Sequence, residues 1–129
     1  MEITEFKSGT VTAVALKGRV DSSTAGTLKD RLSKLIESGL AQLVIDFRDV
    51  AYISSAGFRT LLIVAKQSAD AHGRLALCGI AGEVKRLFDI AAFTDLFLIL
   101  PSREEAIAAI AQAGASGKSG ASASGKSRT

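Results

Sequence analysis

The 129-residue chain has one histidine and one cysteine. A zinc site of imidazoles and thiolates needs three or four such ligands, so no conventional zinc cluster can be assembled. A serine-hydrolase triad is equally short of parts, because His72 stands just before Gly73 at a predicted helix end and no Gly-x-Ser-x-Gly elbow is present. A lone cysteine closes no internal disulfide, and Cys78, within Leu75-Ala76-Leu77-Cys78, reads as a buried structural thiol. No apolar run approaches a membrane span and no basic leader precedes an apolar stretch, so a cytoplasmic protein without membrane insertion is expected.

The body of the chain also lacks a surplus of charge. Of 16 Lys and Arg, three (Lys118, Lys126, Arg128) lie in residues 112–129, which hold no acid. The remaining 13 balance the 13 Asp and Glu, which argues against a nucleic-acid-binding body. Gly117-Lys118-Ser119 and Gly125-Lys126-Ser127 are not phosphate cradles, since no strand precedes and no helix follows them. No cofactor is read from the sequence.

With 47% hydrophobic residues the chain reads as one globular domain over 1–111 and a disordered Gly/Ala/Ser-rich basic tail over 112–129. Ile3 to Lys7 and Val11 to Leu16 are predicted as strands around a Ser8-Gly9-Thr10 turn, with Gly18 to Asp21 as a loop. Ala25, Leu28, Leu32, Leu35 and Ile36 mark a helical face, with N-cap candidates Ser22, Ser23 and Thr24 before it and Gly39 after it. Gln42 to Phe47 is the predicted central strand and Ala56 to Ala71 the second helix. Arg74–Cys78, Glu83–Ile90 and Leu96–Leu98 follow as strand, helix and strand. Ser102 and Glu105 then stand at capping-box spacing before a last helix. This β-β-α-β-α-β-α-β-α order predicts an α/β fold, a four-to-five-stranded mixed sheet with helices mainly on one face and the first strand as antiparallel edge.

Ile53-Ser54-Ser55-Ala56-Gly57 joins the central strand to the second helix, placing two hydroxyls where free N–H groups and the helix dipole favour an anion. Capping by Ser54 or Ser55 is worth about 1 kcal/mol and accounts for one serine. The small residues of the turn leave room for another molecule to approach the other. Asp21, Asp46 and Asp49 lie at one end of the sheet, where divalent-cation binding competes with turn capping and solvation; capping is the preferred reading.

Leu16-Lys17-Gly18-Arg19-Val20-Asp21, Leu43-Val44-Ile45-Asp46-Phe47, Val50-Ala51-Tyr52-Ile53-Ser54-Ser55-Ala56-Gly57-Phe58 and Val84-Lys85-Arg86-Leu87-Phe88-Asp89 together resemble the STAS domain of bacterial anti-sigma factor antagonists. The resemblance implies the STAS fold and a non-enzymatic partner switch. Unphosphorylated protein would bind an anti-sigma factor serine kinase, be released when phosphorylated on Ser55, and be reset by a PP2C-like phosphatase. It places the kinase-binding surface on Asp21, Ser22, Ser54, Ala56, Gly57, Phe58 and Arg59. Ser54 stands where the family often carries Asp and is a second possible acceptor. A monomer or weak dimer is expected when free. Two other uses remain open: a docking subunit of a transporter or signalling assembly without a phosphoswitch, and a small-molecule or nucleotide sensor.

Overall fold

A computed structural model describes residues 1–116. Five strands and four helices alternate: β1 (Glu2–Ser8), β2 (Val11–Val20), α1 (Ala25–Glu37), β3 (Gln42–Ile53), α2 (Ser55–Asp70), β4 (Arg74–Cys78), α3 (Gly82–Ile90), β5 (Leu98–Leu100) and α4 (Arg103–Ser116). A 3₁₀ turn, Thr94–Leu96, precedes β5. The strands lie side by side in chain order. β1 pairs antiparallel with β2 as an edge, and every other pair is parallel.

Strand parity sorts the side chains onto two faces. Val14 and Leu16 of β2, Leu43, Ile45 and Phe47 of β3 and Leu77 of β4 pack with Leu28, Leu32, Leu61, Val64, Val84 and Phe88 from α1, α2 and α3. On the opposite face Val11, Ala13, Val44, Ala76 and Cys78 meet Ala106 and Ile110 of α4 alone. Successive right-handed crossovers place the first three helices together. The second face is lined with small side chains, which lets one helix close it.

The helix ends follow local chemistry. α1 ends in a Schellman motif: Leu40 N–H bonds to Leu35 O, Gly39 N–H bonds to Ile36 O, and Gly39 takes the required left-handed φ of 97°. α2 ends with the same pair of bonds, but its left-handed residue is His72, at φ 64°. Ala92 holds that position after α3, at φ 61°. At the start of α4 the Ser102 hydroxyl accepts from Glu105 N–H at 3.2 Å, the first half of a capping box, while the Glu105 carboxylate accepts from the Ser102 hydroxyl at 3.1 Å rather than from its backbone N–H.

Four elements differ from the sequence expectation by two residues or more. β2 runs on to Val20, so Gly18 to Val20 is strand rather than loop. β3 runs on to Ile53, because two β-bulges shift its register against β2. β5 lies two residues later, since Thr94–Leu96 is drawn into the 3₁₀ turn. α4 extends to Ser116, past the expected boundary at Ala111. The rest of the tail expected to be disordered, 117–129, lies outside the described residues. Among the described residues no helix is long and apolar enough to cross a membrane.

Candidate functional site

β2 and β3 end together, with Val20 beside Ile53. Ser54 N–H donates to Val20 O at 2.9 Å and fastens the turn to the sheet. Ser54 is extended, at φ −98° and ψ 175°, and its Oγ accepts from Gly57 N–H at 3.4 Å, so it is the N-cap of α2. Ser55 is the first helical residue, is exposed and takes no part in the cap. The two adjacent hydroxyls therefore differ in situation. One terminates the helix and the other faces solvent.

A Cβ on Gly57 would lie 2.7 Å from Ile53 Cγ1, 2.8 Å from Val20 Cγ1 and 3.2 Å from Val20 O. Its smallness thus serves contact with the sheet rather than the approach of another molecule. Phe58 is buried too, its ring edge-on to Phe88 at 4.9 Å and tilted against Phe93 at 4.5 Å. Among the residues expected to contact a kinase, Gly57 and Phe58 are thus buried. They hold the turn, while Ser55 and Arg59 are exposed and Ser54 and Ala56 half-buried.

The chain leaving β2 forms the neighbouring loop. Asp21 Oδ1 accepts from Ser23 N–H at 3.0 Å and from Ser23 Oγ at 2.7 Å, while Arg19 Nε stands 3.5 Å from Oδ2. The Thr24 hydroxyl accepts from Asp21 N–H and donates to Arg19 O, both at 2.9 Å. The Ser23 bonds, with Arg19 and Thr24 beside them, hold the Asp21 carboxyl below its ordinary range. Arg19 stacks over Tyr52 at 4.3 Å. Asp21 is accordingly built into the entry to α1, and Ser22 is left exposed.

Elsewhere the candidate chemistry is engaged in structure. Asp46 is not a solvated turn cap. It is 6% exposed, its Oδ2 takes Arg103 Nε at 3.0 Å, and its Oδ1 takes Arg48 N–H at 2.9 Å. An acid between Ile45 and Phe47 in a buried strand was the signal of such a pairing; its partner, 57 residues away, carried none. No group of three His, Cys, Asp or Glu able to hold a metal occurs among the described residues. Burial pushes the Cys78 thiol up to about 12, and His72 is exposed. A polar cleft of about 380 Å³ opens beside Asp46, walled by Arg48, Asp49, Gly79, Ser102, Arg103 and Glu104. The serine turn contributes nothing to it, so both serines sit outside that concavity.

Residues 3–106 match the STAS domain. The chain is 37% identical over 109 residues to BtrV of Bordetella bronchiseptica, which carries the name of an anti-sigma factor antagonist, covering 84% of this chain and 94% of that one. A solved Thermotoga maritima structure described as an anti-sigma factor antagonist superposes with a TM-score of 0.79 at 15% identity, covering 84% and 94%. SpoIIAA, a Bacillus cell fate determinant solved in its phosphorylated form, superposes with a TM-score of 0.65 at 16% identity, covering 84% and 99%. STAS-domain antagonists are regulatory, non-catalytic proteins that act by exchanging partners. The chain belongs to the STAS domain family and is related to the bacterial anti-sigma factor antagonists.

Proposed function

We propose that this protein is a phosphorylation-controlled antagonist whose Ser55 is the substrate of an anti-sigma-type serine kinase, with a PP2C-like phosphatase restoring the free hydroxyl. The observation that carries this reading is the division of labour between the serines: Ser54 Oγ is committed to the cap, and Ser55 is the exposed hydroxyl at the first helical position. In the transfer, Ser55 Oγ attacks the γ-phosphorus of ATP, the bond to the β-phosphate oxygen breaks, ADP leaves, and the hydroxyl proton passes to a base of the kinase. The first turn of α2 carries no acidic side chain. A new phosphate there meets the positive end of the helix with no acidic side chain in its own turn, and its roughly −1.5 to −2 charges confront a partner surface matched to a neutral serine. The surface offered to that partner comprises Ser55, Arg59, the half-buried Ser54 and Ala56, and the Asp21-Ser22 loop.

The small-molecule sensor reading is disfavoured by the place of the serines outside the polar cleft. Incubation with a partner kinase and ATP, followed by mass spectrometric location of the phosphate, tests the proposal. Phosphate on Ser55 is expected. Stable binding of the kinase with no modification would refute the phosphoswitch and leave a docking module.

A further inference from the structure

The path of β3 decides which serine caps α2 and which is presented. Thr12 pairs with Leu43, but Val20 pairs with Ile53, so β3 contains two more residues than β2 between those points. One is inserted between Asp46 and Asp49, the other between Val50 and Tyr52. The inward-facing residues record both insertions: Leu43, Ile45 and Phe47 alternate as a strand should, and burial then resumes at Val50 and Ile53. A slip of one residue turns every following side chain to the other face. Loss of the first bulge would carry Ser54 into the place of Ser55 and Ile53 into the cap position.

A bulge leaves its extra residue out of the ladder, and its N–H needs another acceptor. Here Arg48 N–H has one, Asp46 Oδ1 at 2.9 Å. That oxygen is confined on its other side by Gly79, where a Cβ would stand 2.7 Å from Oδ1 and 2.9 Å from Arg48 N. The second carboxylate oxygen is held by Arg103 Nε at 3.0 Å. Arg103 is itself fixed above the Phe6 ring at 4.5 Å. The carboxylate therefore clasps the bulge from inside the protein, with Arg103 of α4 and Gly79, just after β4, confining it.

We propose that Asp46 is a positioning residue for the phosphoacceptor: by pinning the first bulge of β3 it sets the register that caps α2 with Ser54 and presents Ser55. The choice of phosphorylated serine rests on the phosphoswitch reading above, whereas the state of the Ser54–Val20 bond does not. Three variants separate the bulge bond from the ion pair. Asp46→Asn keeps an acceptor for Arg48 N–H and loses the charge. Asp46→Ala loses both. Asp46→Leu with Arg103→Met removes the acceptor and replaces the buried pair by apolar side chains of similar size, an exchange that commonly preserves the fold.

Native-state amide hydrogen exchange of Ser54 N–H, compared with Val44 and Ile45 in the unbulged half of β3, is the primary measurement. In Asp46→Ala and in the double variant, Ser54 protection is expected to fall at least ~10-fold relative to those strand amides, and in Asp46→Asn it stays within ~3-fold of wild type. Kinase phosphorylation of the same proteins should leave Asp46→Asn modified on Ser55 alone and the acceptor-free variants modified on Ser54 as well, or more slowly on both. Unchanged relative Ser54 protection in the folded double variant overturns the proposal, whatever the kinase does. So does equal loss in Asp46→Asn and Asp46→Ala. An absence of phosphorylation in every protein, with the exchange pattern as expected, overturns the phosphoswitch and leaves the register role standing.

Discussion

The same substitution should have opposite signs at two helical glycines. Gly26, in the first turn of α1, is exposed, and a Cβ there meets nothing within 4 Å. Gly26→Ala is expected to stabilise by about 0.5 kcal/mol, the lower end of the helical preference of alanine over glycine. Gly57 enjoys the same preference, but its methyl would arrive 2.7 and 2.8 Å from the Cγ1 atoms of Ile53 and Val20, 1% and 0% exposed. Both neighbours are β-branched and stiff at χ1. Neither can swing away, and Val20 O at 3.2 Å belongs to the backbone. Overpacking of this kind costs about 1–3 kcal/mol. Lifting α2 to relieve it would also strain the Ser54–Val20 bond, worth about 1 kcal/mol. Net of the propensity gain, Gly57→Ala should lose about 1–2 kcal/mol. Urea unfolding followed by far-UV circular dichroism reads the difference directly. With a slope of roughly 1.5 kcal/mol/M, the midpoint should fall by about 1 M for Gly57→Ala and rise by about 0.3 M for Gly26→Ala. A Gly57→Ala protein as stable as wild type, or more so, would refute the close seating of the serine turn on the sheet.

Ser55→Asp should weaken kinase binding at least ~10-fold, about 1.4 kcal/mol, while Ser55→Ala binds as wild type and is never released; equal affinities for wild type and Ser55→Asp in calorimetric titration would contradict this. Ala92→Gly should stabilise by about 0.5–1 kcal/mol in thermal melts because a left-handed alanine is strained, and His72→Gly should gain less because histidine tolerates that region better. The folded Asp21 carboxyl titrates below its ordinary 3.8, so its contribution is present above that value and lost as pH falls through the lower folded value. Wild type should accordingly be more stable than Asp21→Asn at pH 6, the gap closing below about pH 4 in melts taken from pH 6 to 2.5. A gap independent of pH would show that the Asp21 charge plays no part.

The elements whose determinants are local were legible in the sequence. A cap within the Ser54-Ser55 pair, the Ser102 cap on Glu105 N–H, the Gly39 terminus and the antiparallel first strand all depend on residues within a few positions of one another. The second half of β3 was not, because Phe47, Val50 and Ile53 recur every third residue and match neither strand nor helix periodicity; only pairing with β2 makes them a bulged strand. The Asp46–Arg103 pair spans 57 positions and leaves no local trace. The packing role of Gly57 was hidden for a related reason. Its crowding comes from Val20, on a strand that the sequence seemed to end at Leu16.

The chain-order arrangement of the strands has a consequence for how the protein is made. Each strand after the first docks on the edge left by its predecessor, so a chain emerging from the ribosome can lay down the sheet one strand at a time, with short closures at every step. Among the described residues the last strand is β5, only three residues long, which offers little template to a foreign strand. The long open edge that remains is β1, laid down first, where Glu2, Glu5 and Lys7 guard the flank throughout synthesis.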